Sequence, residues 1–367
     1  MHLDIELRFV PSEFFIGILA ELNEQYSEWT DGSYDWAAQT TDFLHAFSPL
    51  PKFDETLFQS PLSQRAVNDL LQVAIALLSG DYPRVRDYLG PMRYAFVIGY
   101  PRSGGSYLTK ELLRTVGLDH TRVSEALAHD GFPELRETWY DWAGDRPTFY
   151  LRESIFQAAE FLVISSLYYQ RKTAPHTDGT WLIPKKMHKL VYWGASFKML
   201  LGQGRADYLT TVRHPVPTAI SIYEKSGGLP EDRRFPARAP RSAIEHWIVY
   251  DLLHLGYRFD ELAALDYIEA VTVSWAHYYS RLAGSGLFLG SRDEVRLVPY
   301  AKEALEGVVS DYRQRLGDEP SAAPEPFLIH DKSARHPDWQ ARGDQAVAAV
   351  TAQWAALGLR FPELSLE

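Results

Sequence analysis

The chain contains no cysteine, which excludes disulfides, thiolate metal sites and thiol nucleophiles and fits a cytoplasmic location. No segment approaches the roughly 20 consecutive apolar residues that cross a bilayer. The opening "MHLDIELRFVPSEFF" holds three acidic side chains and no uninterrupted apolar stretch, unlike a secretion signal. A soluble protein with no membrane association is expected. Basic charge is also short: 37 Lys and Arg stand against 48 Asp and Glu, a formal net charge of −11. That balance argues against non-specific nucleic-acid binding and against a strongly polyanionic acceptor. What the chain does have is apolar: 46% hydrophobic and 13% aromatic residues suffice for a packed core in one large α/β domain or two ordinary ones.

Residues 1–90 read as a helical N-terminal extension. "EFFIGILAELNEQYSEW" and "SQRAVNDLLQVAIALLSG" repeat apolar residues near helical spacing, with the proline-marked connection "FSPLPKFDETLFQSP" between them. From Arg93 the pattern changes to the short apolar runs "YAFVIGY", "TWLIPKK", "ADYLTTVRHP" and "DEVRLVPYA", each followed by a turn and a helix. Such alternation predicts a mostly parallel central sheet flanked by helices over residues 91–367, with ligands at the carboxyl ends of the strands. "GGLPEDRRFPARAPRSA" (227–243) and "GDEPSAAPEPF" are long loops, the first rich in arginine.

Three stretches carry chemistry. In "GYPRSGGSYL" (99–108) a glycine-rich turn joins a strand to a helix expected to begin at Tyr107. The amides of Ser103, Gly104, Gly105 and Ser106 would converge at a helix N-terminus, where unpaired N–H groups favour an anion. The Gly-Lys-Ser/Thr ending of the triphosphate loop is absent, which tells against nucleoside-triphosphate hydrolysis with magnesium. In "TTVRHPVPTAISIYEKSGG", Arg213 ends a strand, Pro215 restarts a helix, and Ser221 sits about two turns in, so both can reach one phosphate. In "WLIPKKMHKL", Lys186 and His188 are two residues apart, the spacing that puts both on one face of a strand. A neutral imidazole near pH 7 suits a general base. His120, His129 and His214 are weaker candidates, since none has a cationic partner at strand spacing.

"PRSGGS" (101–106), followed in order by the Arg213–Ser221 pair, resembles the sulfotransferase family's two phosphate motifs, with Lys-x-His at the family's place between them. The resemblance runs from about Arg93 to about Leu359; residues 1–90 match nothing in the family. It implies a fold like that of the P-loop nucleotide-binding proteins. It also implies binding of 3′-phosphoadenosine 5′-phosphosulfate as co-substrate, with no metal. The loop from Arg102 to Ser106 would hold the 5′-phosphate, although Gly105 replaces a threonine and so lacks its hydroxyl. Tyr107 would stack on adenine, and Arg213 and Ser221 would take the 3′-phosphate. His188 would be the general base, with Lys186 and Arg102 stabilising developing charge; Glu125, Glu153 and Glu160 are rival bases, because some branches of the family use glutamate. In "HDKSARHPDW", Lys332, Ser333 and Arg335 stand where relatives close over the 3′-phosphate. The expected activity is sulfuryl transfer to a hydroxyl of a small or medium-sized organic acceptor. A nucleotide-dependent phosphotransferase and a non-catalytic nucleotide-binding scaffold are the alternatives. The N-terminal helices would shape the acceptor side or a homo-oligomer interface. The aromatics of "VTVSWAHYYSRL" read as core.

Overall fold

The computed structural model describes residues 11–23, 55–121, 123, 125–130, 132–133, 147–289, 294–317, 325–328 and 335–364. Four strands, β1 (Met92–Gly99), β2 (Trp181–Lys186), β3 (Ala206–Val212) and β4 (Val295–Pro299), form one sheet in the order β2-β1-β3-β4. Every pairing is parallel. The principal helices are α1 (Glu13–Leu22), α2 (Pro61–Ser79), α3 (Tyr82–Leu89), α4 (Gly105–Thr115), α5 (Pro147–Lys172) and α6 (Gly194–Leu201). They continue as α7 (Pro215–Lys225), α8 (Ala243–His254), α9 (Tyr267–Gly284), α10 (Lys302–Leu316) and α11 (Gln340–Ala356).

The hydrophobic runs explain the sheet. Along β1 only Arg93 is not fully buried, as expected for a strand covered on both faces by helices. Tyr94, Phe96 and Tyr208 stack across β1 and β3, with centroids 5.5 and 5.8 Å apart. Helix α2 starts at Ser60, whose hydroxyl accepts from Ser63 N, and stops at Gly80 in the left-handed conformation at φ 72°; both ends are standard caps. Its inner residues Ala66, Leu70 and Val73 join the same core as the sheet, and α2 and α1 both pack on α5. The N-terminal helices are therefore continuous with the core.

Strand order places the chemistry. From β1 the chain goes to one edge for β2, then crosses back over β1 to β3, so the β1/β3 boundary is where the order reverses, and open parallel sheets bind ligands at the carboxyl ends of such a boundary. Register brings Lys186 level with Val97, Gly99 level with Thr211, and Val212 level with Pro299. The segments leaving β1, β2 and β3 thus emerge side by side.

Candidate active site

The turn after β1 is bent around a missing side chain. Gly99 has φ +154°, and a Cβ there would lie 2.3 Å from Thr211 Oγ1 and 2.7 Å from Ser103 Oγ. In the space left, Ser103 Oγ donates to Tyr100 O at 2.6 Å and lies 2.8 Å from Thr211 Oγ1. The Ser103 hydroxyl holds the turn together from inside, and its amide bonds Tyr100 O at 3.2 Å. Arg102 is left-handed at φ 69°, a conformation costing about 1–3 kcal/mol that persists where surroundings impose it, often at functional sites. Gly104 at φ 99° caps α4, which begins at Gly105, two residues earlier than the sequence spacing predicts. Leu108 N makes the first bond back to Gly104 O. The amides of Gly105, Ser106 and Tyr107 therefore precede any intrahelical partner and sit at the positive end of the helix dipole.

Motifs over a hundred residues apart in the chain meet here. Arg102 Nε donates to Ser221 Oγ at 2.9 Å, and Arg213 Nη1 donates to Arg102 O at 3.3 Å. Pro215 occupies the first turn of α7 and His214 caps it through Nδ1, accepting from Val216 N at 3.3 Å, which presents Ser221 toward the loop. Arg213 is 4% exposed, lies 4.0 Å over the Tyr300 ring, and its Nε has no hydrogen-bond partner among the described residues. Burial lowers its guanidinium from the ordinary value, opposed by Tyr300. A cation held in that state gains from an anion. Arg213 and Tyr300 also line a cavity of 290 Å³ at the ends of β3 and β4.

Lys186 and His188 come together by a different route from strand alternation. Strand β2 ends at Lys186, and His188 opens a 3-10 turn, His188–Tyr192. What joins them is Asp130, 58 residues earlier than His188 and absent from the sequence reading. Asp130 Oδ1 accepts His188 N at 2.8 Å. Its Oδ2 lies 2.6 Å from His188 Nδ1, an ion contact outside hydrogen-bond geometry, and 3.1 Å from Lys186 Nζ. Burial would push the Asp130 carboxyl up, but the charges of His188 and Lys186 outweigh it and hold it well below the ordinary carboxylate range. An anion on Nδ1 favours the tautomer with its proton there, leaving Nε2 as the basic nitrogen. The imidazole packs edge-on to Trp247 at 5.2 Å. Toward the phosphate loop, a Cβ at Gly105 would lie 3.6 Å from Lys186 Cε, so the lysine stem runs beside the start of α4.

Other candidates have different surroundings. The Tyr107 hydroxyl donates to Glu325 O at 2.9 Å and its ring packs 4.6 Å from Phe327, so this face is covered by the segment that Glu325 ties to Lys110 and Arg114 at 2.6 and 2.7 Å. Glu160 accepts Ser12 N at 2.7 Å, which ties α5 to α1. His120 lies beside Asp119, and His214 pairs with Asp344 besides capping α7. Burial, then Lys186, lowers His129 to about 3, and its carbonyl accepts Lys185 Nζ. Arg335 pairs with Glu224 on α7, one turn beyond Ser221. Lys332 and Ser333 lie outside the described residues, as do the side chains of Glu125 and Glu153. The arginine-rich loop is stapled: Arg241 forks onto buried Glu245 and reaches Gly228 O at 2.8 Å. Among the described residues, no group of three or more His, Asp or Glu could hold a metal ion, and no helix is long and apolar enough to cross a membrane.

No protein-family model matches the chain and no curated protein matches it. Among solved structures it is similar to sulfotransferase STF9 from Mycobacterium avium, at 16% identity and a TM-score of 0.34, over 99% of each chain.

Proposed function

We propose that the protein is a sulfotransferase that moves a sulfuryl group from 3′-phosphoadenosine 5′-phosphosulfate to a hydroxyl of a small or medium-sized organic acceptor. The observation that carries this reading is the meeting of two phosphate motifs at the sheet's switch point, through the 2.9 Å bond from Arg102 to Ser221 and the 3.3 Å bond from Arg213 to the Arg102 carbonyl. The candidate anion sites are the α4 amides that lack an intrahelical partner and the buried Arg213, whose Nε has no partner among the described residues. A nucleotide with phosphates at both ends of its ribose matches that pair.

When bound, the co-substrate supplies an activated sulfuryl group whose bond to the 5′-phosphate breaks as the acceptor oxygen attacks sulfur. The α4 amides and Ser106 would hold the 5′-phosphate, with Arg213 and Ser221 on the 3′-phosphate. His188 Nε2 takes the acceptor's proton, and Asp130 holds the imidazole in the required tautomer and balances the cation formed. Lys186 and Arg102 stabilise charge gathering on the phosphate oxygen that leaves. The products are a sulfate monoester and 3′-phosphoadenosine 5′-phosphate. The test is a transfer assay on a hydroxyl panel, run with 3′-phosphoadenosine 5′-phosphosulfate plus a chelator and, in parallel, with ATP and magnesium. Acceptor-dependent formation of 3′-phosphoadenosine 5′-phosphate that is lost in His188→Ala supports the reading. Transfer only from ATP with magnesium would assign a phosphotransferase instead, and nucleotide binding without turnover a scaffold.

A further inference from the structure

Two adjacent tyrosines of α9 do more than fill the core. Tyr278 and Tyr279 are 1% and 0% exposed, and each hydroxyl both accepts a backbone N–H and donates to a backbone carbonyl. The Tyr278 hydroxyl accepts from Gly99 N at 3.1 Å and donates to His188 O at 2.8 Å. The Tyr279 hydroxyl accepts from Tyr100 N at 3.3 Å and donates to Thr211 O at 2.8 Å. Successive helical side chains diverge by about 100°, so one hydroxyl reaches from β1 toward the β2 side and the other toward the β3 side, as the sheet order β2-β1-β3 requires.

We propose that Tyr278 is a positioning residue that sets the separation between the donor's phosphate loop and the acid–base centre. The inference rests on the sulfuryl-transfer reading. Gly99 is the last residue of β1, directly before the phosphate turn, and His188 opens the turn carrying the base; one hydroxyl spans them. The rings reinforce it: Tyr278 meets Trp247 edge-on at 5.8 Å, and Trp247 meets the His188 ring at 5.2 Å. In-line transfer needs that separation, since displacing a reacting group by about 1 Å costs about 100-fold in rate. The hydrogen bonds of the Tyr279 hydroxyl run to Tyr100 N and Thr211 O, so it ties the loop to β3, the strand leading into Arg213. The two hydroxyls thus divide the work, one serving the transfer geometry and the other the donor site.

Tyr278→Phe and Tyr279→Phe remove one hydroxyl each from equally buried rings, so comparing them separates positioning from general support. In Tyr278→Phe, kcat should fall about 30–100-fold while the Kd for 3′-phosphoadenosine 5′-phosphate changes less than about threefold. Tyr279→Phe should show the opposite split, its Kd rising more than its kcat falls. The ¹⁵N ring shifts of His188, which report its tautomer whether or not the protein transfers sulfate, should move in Tyr278→Phe and stay in Tyr279→Phe. A Tyr278→Phe kcat within twofold of wild type, equal losses of kcat and affinity in both variants, or unmoved His188 shifts would each overturn the proposal. Should wild type show no sulfuryl transfer, the functional reading falls while the ring shifts still decide the positioning claim. If Tyr278→Phe fails to fold, the wild-type protein decides. Its Tyr278 hydroxyl proton should be visible by NMR, slow to exchange and close to the Gly99 amide; a fast-exchanging proton without that contact overturns the assignment.

Discussion

Replacing Asp130 by Asn changes one charge and almost no volume, and it probes the group that joins Lys186 to His188. The carboxylate lies 2.6 Å from His188 Nδ1 and 3.1 Å from Lys186 Nζ. At about 3 Å and an effective dielectric near 20, a unit pair interacts by about 5 kcal/mol. The side chains of Lys186 and Asp130 are 21% and 18% exposed, so water screens part of this and about 1–3 kcal/mol remains. Asparagine keeps an oxygen for the His188 amide, so the turn should persist. Its amide nitrogen offers neither charge nor tautomer control, and the imidazolium formed during transfer loses its counter-ion. The expected loss is about 100-fold in kcat, equivalent to about 2.7 kcal/mol, with affinity for 3′-phosphoadenosine 5′-phosphate changed less than about threefold. Because the carboxyl is held below its ordinary value, its contribution to stability is present above the unfolded value of about 3.9 and is lost only as pH falls through the lower folded value. The Asn variant should therefore be impaired across the whole range from about pH 6 to 9. A steady-state profile within threefold of wild type throughout would refute the role given to Asp130.

Arg213→Ala should weaken binding of 3′-phosphoadenosine 5′-phosphate by about 10–150-fold, the worth of a hydrogen bond to a charged group, and titration calorimetry reads it directly. Gly99→Ala should destabilise the fold severely, because the new Cβ meets Thr211 and Ser103 atoms at 2.3–2.7 Å. Gly105→Ala should be tolerated and raise stability by about 0.5–1 kcal/mol in urea unfolding, since its Cβ would find neighbours at 3.5–3.7 Å without strain. Burial raises the Asp251 carboxyl to about 7 despite hydrogen bonds from Ser274 and Tyr192. The sign follows from linkage: its contribution is present below about pH 4 and is lost as pH rises through 7. Asp251→Asn should flatten that fall in unfolding free energy between pH 4 and 7.

The parts of the site legible in the sequence were local ones. A glycine turn between an apolar run and a helical pattern, and an arginine before His-Pro, carry their geometry in their own neighbours: Pro215 does start α7, and Ser221 does face the turn after β1. The pairing of Lys186 with His188 was expected from strand alternation, yet the strand stops at Lys186 and a distant carboxylate makes the connection. Asp130 gave no signal, because a lone acid in "ALAHDGF" has no periodicity or spacing to His188 that could mark it. The inward turn of the Ser103 hydroxyl depends on the gap at Gly99 and on Thr211, a strand away. Tyr278 and Tyr279 read as core by their helical spacing, and core they are; only their hydroxyl partners, on three separate segments, show what else they hold.

The central claim is that one ligand with phosphates at both ends of its ribose bridges the α4 amides and Arg213. Comparing 3′-phosphoadenosine 5′-phosphate with 5′-AMP by titration calorimetry, without divalent metal, tests it most directly, because the two differ only in the 3′-phosphate. The account predicts that the bisphosphate binds at least about 100-fold more tightly, as expected when a second anion meets a buried guanidinium. Equal affinity for the two nucleotides would contradict it.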